Sequence, residues 1–109
     1  MTIITRRCAK LSAMYRVSIL YPKTEGTTFD HDYYRDSHMP LLATRLGDTC
    51  QSWTSDKVLD GPFEAIGHVV VDDLAAFQTK MGEHAGEIMG DVANYTAITP
   101  QLVVSEITH

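Results

Sequence analysis

Apolar residues along the chain follow two patterns, dense runs rich in β-branched and aromatic side chains, and single residues spaced three or four positions apart. The dense runs are typical of β-strands, and the spaced residues are typical of helices that bury one face. Pro22 ends the first run, and Asp60-Gly61-Pro62 separates the second from the third, which predicts a hairpin there. Four runs predict strands, at residues 15–21, 49–59, 63–71 and 102–107.

The first helical segment is expected between Asp30, which suits a helix N-cap, and Gly47, which suits the position just after a helix. Pro40 interrupts this segment, because proline lacks a backbone N–H and disfavours the α conformation of the residue before it. The sequence therefore predicts two helical pieces, at about 30–38 and 40–46.

A second helical segment follows Asp72 and Asp73, either of which can serve as its N-cap. Glycines are poor helix formers, and Gly82 stands near the middle of the segment. We therefore expect a break near Gly82 and a second short helix that ends at about Met89. The apolar residues at helical spacing are Leu74, Phe77, Met81, Ala85 and Ile88.

The predicted order β-α-β-β-α-β is the ferredoxin-like pattern of the α+β class, a four-stranded antiparallel sheet with helices on one face. The other face is left uncovered, and the strand at 63–71 is apolar on both alternations. We expect such a face to pair with a second copy of the chain, which would give a homodimer joined through its sheet faces. Two facing sheets form a dimeric α/β barrel, whose interior is a natural ligand cavity.

The chain has 109 residues, which predicts a single domain. Residues 1–13 are basic and contain no acid, and we expect them to form a poorly ordered extension ahead of one domain at 14–109. Met14 directly precedes the first strand and is a candidate natural start of the folded unit.

The net charge of −5 opposes binding to a phosphate backbone, so nucleic acid is not an expected partner. No apolar run is long enough to span a membrane, and the N-terminus lacks the hydrophobic stretch of a secretory signal. Two cysteines, Cys8 and Cys50, suggest neither a disulfide framework nor a CxxC motif. These features predict a cytoplasmic protein without a membrane partner.

Candidate chemistry is concentrated at the start of the first helical segment. Tyr34 and His38 are four residues apart and therefore share one helical face. An imidazole can accept a proton from a carbon or hydroxyl acid, and a phenol can polarise a carbonyl, which suits enolisation, isomerisation or ring closure. His38 and Tyr34 are thus the candidate catalytic residues. The alternative for His38 is a structural role, in which it hydrogen-bonds backbone carbonyls or a partner subunit.

Candidate ligand-binding residues are Tyr21, Tyr33, Trp53 and His68, although a packing role is the alternative for each. His31 and His38 are seven residues apart, about 10 Å along a helix, which is too far to share one ion. No metal-binding motif and no glycine-rich nucleotide loop occurs in the sequence. We therefore expect neither a metal nor an organic cofactor.

The sequence resembles the EthD family, the small proteins named for ethyl tert-butyl ether degradation. The most specific part is the Tyr-Tyr-x-x-x-His-x-Pro-Leu arrangement of residues 33–41, and the resemblance covers nearly all of 15–108. It implies a ferredoxin-like subunit, a homodimeric barrel and an association with oxygenase systems. The stretches that carry it are Ser18-Ile-Leu-Tyr-Pro22, Phe29-Asp30, Tyr33-Tyr34, His38-Met39-Pro40-Leu41, Asp91-Val-Ala-Asn-Tyr95 and Ser105-Glu106-Ile107.

Three functions remain open. The first is an enzyme or enzyme accessory acting without a cofactor on a small hydrophobic, oxygenated organic molecule, with an oxidoreductase, isomerase or cyclase-like activity. The second is a non-catalytic protein that binds such a molecule or stabilises a partner oxygenase. The third is a purely structural dimer. A fold of this kind serves many chemistries, so it does not choose among them.

Overall fold

The computed structural model describes residues 13–109. The predicted poorly ordered extension at 1–13 lies, apart from Ala13, outside these residues, and so does Cys8. The strands are β1 (Tyr15–Pro22), β2 (Cys50–Lys57), β3 (Phe63–Val71) and β4 (Gln101–Glu106). The helices are α1 (His31–Tyr33), a π-helical turn (Tyr34–His38), α2 (Met39–Leu46) and α3 (Leu74–Asp91), with short 3₁₀ turns at Gly47–Thr49 and Val92–Asn94.

The four strands form one antiparallel sheet in the order β2-β3-β1-β4, which confirms the ferredoxin-like α+β prediction. The helices pack on one face of this sheet. Alternate residues of the two central strands, such as Val17 and Val69, are fully buried beneath them. From the helices, Leu42 and Ile88 complete this core. Burying these side chains is the main source of stability.

The first helical segment does not break at Pro40 into two separate pieces. Its backbone stays helical from His31 to Leu46, and a π-helical turn precedes the proline. In this turn the backbone N–H of Met39 donates to the carbonyl of Tyr34, five residues back. A π turn widens the helix locally by one extra residue. The chain thereby accommodates Pro40 within one continuous segment.

The predicted break near Gly82 is wrong, because α3 is continuous over 18 residues. Its N-terminus is capped by Asp73, whose side chain accepts a hydrogen bond from the Ala76 N–H at 3.0 Å. Phe77 and Ile88 are buried on its inner face. Tertiary packing of one face decides whether a helix forms, and it outweighs the low propensity of an exposed glycine.

The open face of the sheet differs from the expected apolar surface. Cross-strand pairs share a face, so the register gives three rows across β4, β1, β3 and β2. Only four of the twelve residues in these rows are apolar. The apolar character expected for the open face therefore holds for β3 alone and not for the strands beside it. The rows are Ser105-Arg16-Val70-Ser52, Val103-Ser18-His68-Thr54 and Gln101-Leu20-Ile66-Asp56.

Candidate functional site

A cluster of aromatic rings fills the space between the sheet and the helices. Tyr21 comes from the end of β1, Tyr34 and His38 come from the π-helical turn, and Tyr95 follows the second 3₁₀ turn. All four are buried. The His38 ring stacks on the Tyr34 ring with centroids 5.6 Å apart and planes 15° apart. The predicted catalytic pair therefore lies together, as its four-residue spacing suggested.

The buried hydroxyls in this cluster are not all satisfied. The Tyr21 and Tyr95 hydroxyls are hydrogen-bonded to each other at 2.5 Å. The Tyr34 hydroxyl is fully buried and has no hydrogen-bond partner among residues 13–109. Burial raises the pKa of Tyr21, Tyr34 and Tyr95, so all three phenols stay protonated at neutral pH. A buried hydroxyl without a hydrogen-bond partner lowers stability by about 1–3 kcal/mol, so its presence here needs an explanation.

Gly67 in β3 lies directly beneath the end of the Tyr34 ring. A Cβ at this position would overlap the Tyr34 hydroxyl and lie 3.1 Å from the ring carbon Cζ. It would also lie 3.4 Å from the sulfur of Met39. The absent side chain of Gly67 therefore provides the room that the Tyr34 phenol occupies.

Asp91 is the polar centre of the site. Its carboxylate accepts hydrogen bonds from the Tyr33 hydroxyl at 2.7 Å, from the Asn94 amide at 2.9 Å and from His38 Nδ1 at 2.9 Å. Burial alone would raise the pKa of Asp91, but the three donors outweigh it and hold that pKa below its usual value. Asp91 is thus a carboxylate at neutral pH, although it is the last residue of α3, where the helix dipole disfavours a negative charge.

The imidazole of His38 is neutral at neutral pH. Its burial lowers its pKa, and the hydrogen bond to Asp91 offsets this only in part. With Nδ1–H donating to Asp91, the lone pair of the neutral ring is on Nε2. A carboxylate on the other ring nitrogen fixes this tautomer and stabilises the imidazolium that would form after proton uptake. The arrangement is chemically that of a general base.

A cavity of about 220 Å³ lies beside Tyr34, between the first helical segment and β2. Ser55, which pairs with Gly67 in the sheet, contributes to its wall. Near its rim, His31 Nε2 is 3.1 Å from a carboxylate oxygen of Glu64. Its lining residues are His31, Asp32, Tyr34, Arg35, Ser55, Asp56 and Lys57.

The structure divides the predicted site residues between the two faces of the sheet. Tyr21, Tyr33, Tyr34 and His38 lie on the helix side, around Tyr95 and Asp91. His68 lies on the open face, where Nδ1 and the Ser18 hydroxyl are 3.1 Å apart and Nε2 is 3.5 Å from Asp56.

Trp53 pairs with Val69, so its side chain lies on the helix side of the sheet, where it packs against the core. A cavity of about 430 Å³ on the open face is lined by His68 and bordered by Trp53. The predicted ligand-binding role of His68 therefore concerns a different place from the His38 cluster.

Three site residues, Asp91, Asn94 and Tyr95, were not predicted to have a role. They stand at i, i+3 and i+4 where α3 ends, so a carboxylate, an amide and a phenol emerge close together. This spacing is the sequence feature from which the cluster could have been predicted. Its role in the site depends on His38, which lies 53 positions earlier in the chain and contacts Asp91 only once the helices have packed on the sheet.

Residues 13–109 contain no group of three or more histidine, cysteine, aspartate or glutamate side chains placed to hold a metal ion. Over the same residues, no helix combines the length and the apolar character needed to cross a membrane.

No family model and no curated protein matches the chain. Solved structures do match it. An EthD-like protein from Ralstonia eutropha JMP134 is 42% identical, with 90% of this chain and 95% of that chain covered and a TM-score of 0.85. An ethyl tert-butyl ether degradation (EthD) family protein from Bacillus halodurans C-125 is 18% identical, with 87% and 99% covered and a TM-score of 0.59. A dimeric ferredoxin-like protein of unknown function from Thermobifida fusca YX is 13% identical, with 90% and 92% covered and a TM-score of 0.60.

Proposed function

The chain belongs to the EthD family, and from that premise we propose that it binds a small, mainly apolar organic molecule bearing a carbonyl or phenolic oxygen. Tyr34 donates a hydrogen bond to that oxygen, and His38 exchanges a proton with the bound molecule. The resulting chemistry is enolisation, isomerisation or ring closure without a cofactor. The unpartnered hydroxyl of buried Tyr34, beside both His38 and a cavity, is the observation that carries this proposal.

The ligand class follows from the groups around Tyr34. A phenol that stays protonated is a donor, so it selects an acceptor oxygen such as a carbonyl, an enolate or a phenolic oxygen. Phe29 and Tyr95 lie with ring centroids 5.2 Å and 5.1 Å from that of Tyr34, so the surroundings are aromatic and favour a flat, apolar body.

The proton transfer follows from His38 and Asp91. A carbonyl polarised by Tyr34 acidifies the adjacent C–H bond, and Nε2 of His38 takes up that proton while Asp91 stabilises the imidazolium. Returning the proton to a different carbon gives an isomer, and attack of the enolate on a second carbonyl gives a ring. An activated C–H bond of this kind is also the point at which an oxygenase system could act on the same molecule.

A second candidate function is binding or delivery without turnover, which includes support of a partner oxygenase. It is favoured by the hydrogen bonds of the two histidines, since Nδ1 of His38 contacts Asp91 and Nδ1 of His68 contacts Ser18. A histidine used only to order side chains needs no access to a ligand.

We also propose that the protein acts as a homodimer joined through its sheet faces. Edge strand β4 supports this, because Val103 is an exposed apolar side chain on the open face. An apolar residue on an unpaired edge strand exposes both apolar area and free backbone groups. A second copy facing the sheet would cover it.

The test combines binding with solvent isotope uptake. Purified protein is incubated in D₂O with cyclohexanone, cyclohexenone and an unsaturated lactone, and deuterium at the carbon next to the carbonyl is followed by NMR. We expect Tyr34→Phe to weaken binding about tenfold, the value of one hydrogen bond. We expect His38→Asn to retain binding and to lower the exchange rate at least about 100-fold.

His84→Asn, a change on α3 outside the Asp91 network, is the matched control and should behave as the wild type. Binding without enzyme-dependent exchange would establish the second candidate function instead. Absence of any bound molecule in native mass spectrometry, together with no stabilisation by the three probes, would refute both and leave the structural dimer.

A further inference from the structure

We propose that Ser55 is a second hydrogen-bond donor to the oxygen of the bound molecule, so that Tyr34 and Ser55 together form an oxyanion hole for an enolate or a phenolate. This role rests on the function proposed above, because the oxygen in question is the one to which Tyr34 donates. Ser55 is then a catalytic residue, since its hydroxyl touches the reacting oxygen.

The side chain of Ser55 lies on the helix side of the sheet. Ser55 pairs with Gly67 of the neighbouring strand β3, and paired residues of an antiparallel sheet share a face. Gly67 is the residue beneath the Tyr34 hydroxyl, and both Ser55 and Tyr34 line the cavity of about 220 Å³. Two hydroxyl-bearing side chains therefore border this cavity, one above Gly67 and one beside it.

The separation of the two side chains suits one shared acceptor. The Cβ atoms of a cross-strand pair are about 5 Å apart, and a Cβ on Gly67 would overlap the Tyr34 hydroxyl. The Cβ of Ser55 is thus on the order of 5 Å from the Tyr34 oxygen. Two donors that each hold one acceptor at about 2.8 Å are no more than about 5.6 Å apart. The Ser55 hydroxyl can therefore reach an oxygen that Tyr34 binds.

Both hydroxyls are available for a ligand. The buried hydroxyl of Tyr34 has no partner among residues 13–109. Over the same part of the chain, no side-chain hydrogen bond involves Ser55, which is half-buried. Neutral donors bond more strongly to a charged oxygen than to a neutral one, so a pair of them favours an oxyanion.

The charges at the cavity wall also favour an anion. Asp32 is 3.4 Å from Arg35, and Asp56 is turned toward the open face, where its carboxylate is 3.5 Å from a histidine nitrogen. Lys57 follows Ser55 by two positions and so shares its face of the sheet. Within the described residues, no ion pair includes Lys57. The charge left without a partner at this wall is therefore positive.

In the reaction, the two hydroxyls act on the oxygen and keep their own protons. The proton of the C–H bond next to the carbonyl passes to Nε2 of His38. The electron pair of that bond forms a C=C bond, and a carbonyl pair moves onto oxygen, which becomes an enolate. Because the hydrogen bonds from Tyr34 and Ser55 strengthen as this charge develops, they stabilise the transition state more than the bound ketone.

The experiment measures stabilisation of the oxyanion separately from proton transfer. The full chain is mixed with 4-nitrophenol, whose ionised form absorbs visible light, and the absorbance over a series of pH values gives the pKa of the bound molecule. We expect the wild type to bind the phenolate at least about tenfold more tightly than the phenol, which lowers that pKa.

Variants of Ser55 test its share of this effect. Ser55→Ala should reduce the preference for the phenolate at least about threefold, whereas Ser55→Thr keeps a hydroxyl and should retain the preference. Thermal unfolding should be the same for Ser55→Ala and the wild type. Thr79→Ala is the matched control, because it removes an exposed hydroxyl that donates to the Ala75 carbonyl on α3, and it should leave the pKa of bound 4-nitrophenol unchanged.

The same measurement in His38→Asn separates this proposal from the preceding one. If the protein catalyses no deuterium exchange but the pKa of bound 4-nitrophenol is lowered in both the wild type and His38→Asn, proton transfer by His38 is refuted and the oxyanion hole stands. A wild type that does not favour the phenolate, or an equal preference in the wild type and Ser55→Ala, would overturn the role of Ser55. Failure of both forms of 4-nitrophenol to bind would overturn it as well.

Discussion

The hydroxyl of Tyr34 rests on the backbone of Gly67, at the one position of β3 where no side chain projects toward the helices. The other inward-facing residues of this strand include Val69 and Val71, which are fully buried. A bulkier residue in place of Gly67 would close the space that the phenol enters. The position of the candidate catalytic tyrosine is thus determined jointly by the π-helical turn and by a glycine in the sheet.

Gly67→Ala should destabilise the protein by about 1–3 kcal/mol, because the added methyl group overlaps the Tyr34 ring and forces packed side chains to shift. Chemical unfolding gives the free-energy difference. Gly82→Ala is the matched control, since no atom lies within 4 Å of the added carbon there. We expect that change to stabilise α3 by about 1 kcal/mol. A neutral Gly67→Ala would show that the phenol does not occupy this space.

Tyr34→Phe should raise the free energy of unfolding by about 1 kcal/mol, because it removes a buried hydroxyl that has no partner. Tyr21→Phe should lower it by about 1–2 kcal/mol, because it leaves the Tyr95 hydroxyl buried and unpaired. Urea unfolding of the two variants measures both. If the two Tyr→Phe changes shift the free energy of unfolding in opposite directions, the wild-type hydroxyl of Tyr34 lowers the stability of the protein. A large loss in Tyr34→Phe would contradict this.

Stability should fall as the pH is lowered from about 7 toward 5. In the unfolded chain His38 takes up a proton near its ordinary pKa of about 6.5, whereas burial lowers its pKa in the fold. The unfolded state therefore binds more protons than the folded state, and acid favours unfolding until the pH falls below the pKa of the folded imidazole. Thermal unfolding at a series of pH values measures the slope.

His38→Asn is the comparison for this pH dependence. The asparagine amide can still donate to Asp91, but it does not titrate, so the slope between pH 7 and 5 should be smaller than in the wild type. The other four histidines are present in both proteins and cancel in the difference. Identical slopes would mean that His38 is protonated equally well in both states.

Asp91→Asn should destabilise the protein by about 2 kcal/mol and loosen His38, because an amide cannot accept all three hydrogen bonds that the carboxylate receives. The pKa of Asp91 is held below its usual value, so its contribution is complete above about pH 4 and is lost as the pH falls through the folded pKa. The histidine signals in NMR would report the loosened ring. Asp36→Asn, at an exposed carboxylate paired with Arg35, should leave stability unchanged.

Val103→Glu should convert the proposed dimer to a monomer. Val103 is exposed on the open face of edge strand β4, so the charge is tolerated in the single chain and repelled when two copies face each other. Native mass spectrometry of the wild type and the variant gives the subunit count. Leu59→Glu is the control, since Leu59 is exposed in the loop between β2 and β3. A dimer that survives in Val103→Glu would argue against pairing through this face.

The order of elements could be predicted from the sequence, because runs such as that at 63–71 reflect a local preference. The continuity of α3 could not, because it depends on Phe77 and Ile88 finding a core that other parts of the chain supply. The open face was mispredicted for a related reason. The pattern of β3 is apolar on both sides, but the character of the face depends on Ser18 and Thr54, which come from neighbouring strands.

The candidate site was predictable only where its residues are close in sequence. Tyr34 and His38 share a helical face by spacing alone, and the structure stacks them. Asp91 belongs to a distant helix end, so its contact with His38 required the fold. His68 was predicted as a ligand-binding residue, yet it lies on the opposite face of the sheet from His38. One step of strand register separates the two faces, and sequence alone does not determine it.

The π-helical turn at Tyr34–His38 makes the site sensitive to chain length. A π turn corresponds to an ordinary α-helix that carries one additional residue. A natural or engineered deletion of one residue between Tyr34 and His38 would convert the turn into regular α-helix and leave the segments on either side in their present register. The two side chains would then be three positions apart, still on one face of the helix but at a different offset along it. Relatives that differ by one residue here would therefore keep the architecture and change the geometry of the pair, so insertion and deletion, as well as substitution, are changes that could separate this fold from its chemistry.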